Sequence, residues 1–256
     1  MAGTAYIGTS GFTYDHWREV FYPPEVKQRE WLEFYCRHFD TVEINASYYH
    51  MPRPNVCASW RRRSPDGFCF VMKLNGSITH RRRLVNCEEP LEMFLDAVNE
   101  LGDKLGPILV QLPPTFRADA RRLDLFLDIC PTQHRWAVEF RDPSWLCEDV
   151  YAVLCAHNAA LVVHDLIPKH PQIITADWTY LRFHGPSEEK HHGSYSDEML
   201  RADERRIKKH LKDGRDVYAY FNNDAHGHAV RNAASLVQFA SGRAGARHAA
   251  AQEGNN

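Results

Sequence analysis

The sequence predicts a single α/β domain, a (β/α)8 barrel of the TIM type with parallel strands. Three observations carry that prediction. Eight short runs are rich in β-branched and aromatic residues, longer segments of helical apolar spacing separate them, and 256 residues is the usual length of one such barrel. An open doubly wound sheet would show fewer strands and a glycine-rich turn after the first; neither is present.

From the N-terminus, Ala5–Gly8 is the first strand, running into the small residues Gly8-Thr9-Ser10-Gly11. Trp31, Leu32, Tyr35 and Phe39 recur at helical spacing and predict a helix over Glu25–Phe39. Thr41–Asn45 alternates apolar Val42 and Ile44 with polar Glu43 and Asn45, as a strand with two unlike faces does. Pro54–Arg63 is a shorter helical segment, and Phe68–Leu74 is the third strand. Leu91, Phe94, Leu95 and Val98 space a helix over Pro90–Leu101, followed by the strand Pro107–Leu112 and the helix Asp119–Ile129. Trp136–Arg141 alternates again, Val138 and Phe140 against Glu139 and Arg141, before the helix Leu146–His157 and the strand Ala160–Asp165. In Tyr180–His184, Leu181 and Phe183 oppose Arg182 and His184; the helix Asp197–Lys212, the strand Val217–Asn222 and the helix Gly227–Ala240 complete the set. Residues 1–240 are thus expected to form the barrel. Residues 241–256 are small and polar, and are expected to be a frayed tail.

The composition is that of a globular protein, 44% hydrophobic and 25% charged, with enough apolar material for a core without staples. Its 31 basic and 33 acidic side chains leave a formal charge of −2, which excludes a basic nucleic-acid surface spread over the whole molecule. Seven scattered cysteines without a Cys-x-x-Cys pair fit reduced thiols and a cytoplasmic location. No charged leader followed by an apolar run opens the chain, and no 18-residue apolar stretch occurs, so neither secretion nor a membrane span is expected.

Barrel enzymes place their sites at the C-terminal ends of the strands, and residues two apart on a strand share a face. If Val42, Ile44, Val138, Phe140, Leu181 and Phe183 point outward, then Glu43, Asn45, Glu139, Arg141, Arg182 and His184 point into the mouth, joined by Lys73 and Gln111 late on strands three and four. Unpartnered, each buried charge would cost several kcal/mol. They therefore either close into an ion-pair network or face a solvated cleft. Ser10 in the small-residue turn, His80, Asp165 and the run Asn222-Asn223-Asp224 are further candidate contacts, although turns and helix caps equally account for the last three. Tyr48, Tyr49, Trp17 and Trp145 are candidate walls, with core packing the commoner role for any one aromatic.

Glu43, Glu139, Asp165, His164 and His184 include the ligand types of a divalent metal, but no His-x-x-x-His spacing accompanies them. Neither a nucleotide-cofactor motif nor a Gly-x-Ser-x-Gly elbow occurs. Arg61-Arg62-Arg63 and Arg81-Arg82-Arg83 would attract a phosphate backbone if they faced one way, while a solvated face is the usual role of such runs. His191-His192 reads as an exposed loop pair.

These motifs together resemble the YecE-like family, also called domain of unknown function 72. The resemblance runs over nearly the whole chain: Ile7-Gly8-Thr9-Ser10-Gly11, Trp17 with Phe21-Tyr22-Pro23, Phe39 to Asn45 with Tyr48-Tyr49, Phe70-Val71-Met72-Lys73, Ile78-Thr79-His80, Leu105-Gly106-Pro107 and Gln111-Leu112-Pro113-Pro114. It continues through Glu139-Phe140-Arg141, Ser144-Trp145, Tyr180 to Gly185 and Tyr220-Phe221-Asn222-Asn223-Asp224. Phe12 and Ile44-Asn45-Ala46-Ser47 depart slightly from the family pattern. The resemblance implies a TIM-barrel-like fold and a polar mouth, and no particular reaction.

The sequence thus leads to an enzyme acting on an anionic or phosphorylated small molecule by hydrolase- or lyase-type chemistry. Glu43 or Glu139 would serve as general base or acid, His184 as proton shuttle, and Lys73, Arg141 and Arg182 would hold negative charge. Two rivals stand beside it: a nucleic-acid-binding, metal-dependent nuclease-like barrel, and a barrel that binds a metabolite without chemistry.

Overall fold

The computed structural model describes residues 2–187 and 192–241. Eight parallel strands form the sheet: β1 (Ala5–Thr9), β2 (Thr41–Ile44), β3 (Cys69–Lys73), β4 (Leu105–Gln111), β5 (Trp136–Glu139), β6 (Ala160–His164), β7 (Trp178–Phe183) and β8 (Asp216–Phe221). Around them run α1 (Trp31–Tyr35), α2 (Ala46–Tyr49), α3 (Pro54–Arg63), α4 (Glu88–Val98), α5 (Ala120–Asp128), α6 (Glu148–Ala156), α7 (Asp197–Lys212) and α8 (His228–Ser241). The strand order is β1-β8-β7-β6-β5-β4-β3-β2, and the two end strands meet at a bridge between Ser10 and Glu43, so the barrel is nearly closed.

A side chain completes the seam where β1 meets β2. The Tyr35 hydroxyl accepts from Thr9 N at 3.1 Å and donates to Thr41 O at 3.1 Å, standing in for a ladder bond between the two strands. Gly8 makes the approach sterically feasible, since a Cβ there would lie 2.4 Å from Thr41 O.

The strand parity read from the sequence holds. Val42, Ile44, Phe70, Met72, Ile108, Val110, Val138, Phe140, Leu181 and Phe183 belong to the layer between barrel and helices. A second, interior cluster gathers Cys69, Val71, Leu109, Ala137, Ala160 and Val162 with Trp178, Tyr180, Tyr218 and Tyr220. Small residues on β5 and β6 thereby balance large aromatics on β7 and β8, which fills the cylinder. At its lower end Tyr6 stacks on Tyr218 at 4.7 Å, and Arg135 donates to Asp216 at 2.8 Å and to the Tyr218 hydroxyl at 2.9 Å. The polar mouth lies at the other end.

One predicted element is much shorter than expected. Of Glu25–Phe39 only Trp31–Tyr35 is α-helical, after a single 3-10 turn at Gln28–Glu30. The apolar recurrence there reflects an aromatic cluster rather than a long helix: Tyr22 stacks on Trp31 at 4.4 Å, and Tyr35 packs on Phe39 at 4.9 Å. Of the predicted tail, residues 242–256 lie outside the described residues, as does His191; His192 is half-buried. All seven cysteines are free, and among the described residues no helix is long and apolar enough to cross a membrane.

Candidate functional site

At the centre of the mouth stands Arg182, the fifth residue of β7, with 1% of its surface exposed. Its Nη2 donates to Glu43 Oε1 and its Nη1 to Glu139 Oε2, each at 2.6 Å, so one guanidinium joins β2, β7 and β5. The Tyr180 hydroxyl, two residues earlier on the same face, donates to Glu43 Oε2 at 2.6 Å. Arg141 Nε donates to Glu139 Oε1, and His184 Nε2 lies 3.7 Å from the same oxygen. Both glutamates are fully buried. Burial by itself would raise the Glu139 pKa, but the positive charges of Arg141 and Arg182 outweigh it and hold the carboxyl well below its usual range. His184 is held neutral, first by burial and then by the Arg182 charge, which together put its pKa well below the ordinary imidazole value.

The last residue of β3, Lys73, completes the ring. Its Nζ rests 4.5 Å from the centre of the Tyr48 ring and, among the described residues, has neither a hydrogen-bond acceptor nor a carboxylate partner. Burial, reinforced by Arg182, lowers its pKa to about 8. Glu43 and Glu139 therefore face Arg182, Arg141 and Lys73, two carboxylates against three cations. Of the two outcomes weighed from the sequence, the ion-pair network is present, with Arg141 and Lys73 beside it.

The other predicted residues divide. Asp165 follows β6; its carboxylate accepts from His184 N at 2.9 Å and from the Tyr195 hydroxyl, while burial raises its pKa. Asn222 Nδ2 lies 3.2 Å from His184 Nδ1. His80 sits in a single π-helical turn, Ser77–Arg81, edge-on to Tyr48 at 4.8 Å; burial and then the Lys73 charge lower its pKa to about 4. Among the described residues, Ser10 Oγ, beside Glu43, and Asn45 Oδ1, at the end of β2, are buried without hydrogen-bond partners. Gln111 is in register with Glu139 but spends its amide on Leu112 O at 2.8 Å. Asn223 turns away from the mouth to hold Gly193 O and Asn232, each at 2.9 Å. Asp224 is drawn to the rim by Trp17 Nε1 at 2.6 Å and His16 at 2.8 Å. Trp17 and Trp145 are fully buried packing residues, whereas Tyr49 is 73% exposed.

Sequence reasoning missed Tyr180 and Tyr195. The first shares the strand parity of Arg182 and was readable from it; the second lies in the long connection after β7, where no local period marks a partner. His164 is not available as a metal ligand, because its Nε2 donates to Phe140 O at 2.7 Å and its Nδ1 accepts from Leu166 N at 3.2 Å. Glu43 and Glu139 are likewise taken by arginines, and Asp165 by His184 N and the Tyr195 hydroxyl. Among the described residues, the set that could close on a metal lies instead on the outer surface, where His157 Nε2 is 2.8 Å from Asp124 Oδ1 and 3.9 Å from Asp128 Oδ1. The two arginine triplets fall at opposite ends of the barrel. Arg61–Arg63 close α3 just before β3 begins, with Arg61 paired to Asp103 and Arg63 to Glu33, whereas Arg81–Arg83 follow the C-terminal end of β3.

Comparison with known proteins agrees with this architecture. A DUF72 protein from Thermotoga maritima superposes with a TM-score of 0.81 at 30% identity, covering 93% of this chain and 98% of that one. The YecE protein of Escherichia coli K12 is 35% identical over 118 residues, 46% of this chain, and the match spans only 43% of that relative's length. The YunF protein of Bacillus subtilis is 26% identical over 91% of this chain and 94% of its own. The model for the family described as "Protein of unknown function DUF72" matches residues 6–254, and the chain belongs to that family.

Proposed function

We propose that this protein is an enzyme acting on an anionic small molecule, carrying a carboxylate or phosphate, at the C-terminal mouth of its barrel. The observation that carries the reading is the cation left over. Arg182 is consumed by two glutamates, while Lys73 points into the mouth with no carboxylate of its own among the described residues. Arg141, its side chain 14% exposed, faces the same space and is fixed in direction by Glu139. Substrate charge would settle on Arg141 and Lys73. Arg182 is a positioning residue in this reading, orienting Glu43 and Glu139 and holding Glu139 ionised. Glu139 then serves as a base and not as an acid, since its proton is lost far below neutrality. His184, neutral and hydrogen-bonded around its ring, would pass the proton.

Calorimetric titration with inorganic phosphate at low salt tests the reading. Binding that weakens about tenfold or more in Arg141→Gln, measured below the lowered melting temperature that loss of the Glu139 pair entails, is the expected outcome; tenfold corresponds to about 1.4 kcal/mol. Absence of phosphate binding to the unmodified protein would remove the proposal.

A further inference from the structure

We propose that Lys73 is a covalent catalytic residue whose amine condenses with the carbonyl carbon of an anionic aldehyde or ketone. The inference rests on the anion-binding reading of the mouth and names the substrate class within it.

The chain contains an internal contrast. Lys104, a buried lysine, places its Nζ against three oxygens, Arg61 O at 2.8 Å, Ser64 O at 2.7 Å and Ser64 Oγ at 3.2 Å, as a structural lysine does. Among the described residues Lys73 has only the face of Tyr48, which steadies an ammonium ion but accepts none of its protons in a hydrogen bond. Once deprotonated, its nitrogen has a free lone pair directed into the mouth. Burial and Arg182 bring its pKa to about 8, which leaves about a tenth of the amine as free base at neutral pH.

The surroundings suit the condensation. Ammonium plus carbonyl gives iminium plus water: the carbon–oxygen bond breaks, the carbon–nitrogen bond forms, and two ammonium protons leave with the oxygen. The iminium keeps the positive charge, so the balance against Glu43 and Glu139 is unchanged by the reaction. Arg141 remains for the carboxylate or phosphate. Ile44 pairs with Met72, which sets Asn45 beside Lys73, and the unpartnered Oδ1 of Asn45 can accept from a substrate hydroxyl.

The test is reductive trapping of the full chain with glyoxylate, pyruvate and dihydroxyacetone phosphate, each with borohydride, followed by peptide mass mapping. The expected result is an adduct on Lys73, equal to the probe less one oxygen atom, formed ahead of the surface lysines and slowed by inorganic phosphate. Mapping the unmodified protein locates it without any variant, and Lys73→Arg should abolish it. Labelling confined to surface lysines with all three probes overturns the imine. If phosphate still binds in that case, the anion-binding reading stands alone; if phosphate does not bind either, both fall.

Discussion

Arg182 Nη2 lies 2.6 Å from Glu43 Oε1, tying β7 to β2 with both side chains shut away from solvent. The same guanidinium serves Glu139 on β5. Replacing it by methionine leaves two carboxylates buried without their main partner, and should cost roughly 3–5 kcal/mol in urea unfolding. Adding Glu43→Gln and Glu139→Gln should recover much of that loss, because the uncompensated charges are gone. A loss below about 1 kcal/mol for Arg182→Met would mean that water reaches the pair.

The Tyr35 hydroxyl bridges the β1–β2 seam, so Tyr35→Phe leaves Thr9 N and Thr41 O without that bond. A cost of about 1–3 kcal/mol is expected. Amide exchange at Thr9 should accelerate more than exchange in the β7–β8 ladder; equal protection at both places would show that the seam does not depend on this hydroxyl.

Buried imidazoles make the fold sensitive to acid. The His164 pKa falls from 6.5 to about 4, chiefly through burial, and His80 behaves alike. Below 6.5 the unfolded chain takes up protons that the folded chain refuses until about 4, so stability present above 6.5 is lost progressively as pH falls through that window. For His164 the full displacement corresponds to roughly 3 kcal/mol, at about 1.4 kcal/mol per pH unit. Denaturant midpoints measured between these limits should fall with pH, and His164→Gln should flatten the slope. A flat profile in the unmodified protein would contradict the burial of these rings.

Reductive capture at Lys73 should rise with pH and level off above about 8, as the free base accumulates. The groups that act on it electrostatically are Arg182, Glu139, Glu43 and Arg141, with Tyr48 and His80 packed alongside; His80, near 4, does not titrate in that range. A capture rate independent of pH between neutrality and about 9 would place the lysine in a solvated, ordinary environment.

The parts of the site legible in the sequence were those that depend on alternation. Glu43, Glu139, Arg141, Arg182 and His184 could be placed in one mouth because each sits two residues from a polar neighbour on a strand whose other face is apolar. Asn223 and Asp224 could not be placed, since strand parity ends with β8 and the chain turns to satisfy Asn232 and Trp17. The segment 25–39 misled for a related reason: aromatic residues recurring at helical spacing pack equally well from irregular backbone.

By itself the sequence determined the strand number, the face that each strand residue presents and the polarity of the mouth, because side-chain alternation is a property of the local backbone. Tertiary structure alone decided the pairing: Arg182 shared between two glutamates, Glu139 claimed by two arginines, and Lys73 left against a tyrosine ring. Those partners come from strands far apart in the chain, and their distances follow from the stagger and closure of the barrel, which no local pattern encodes.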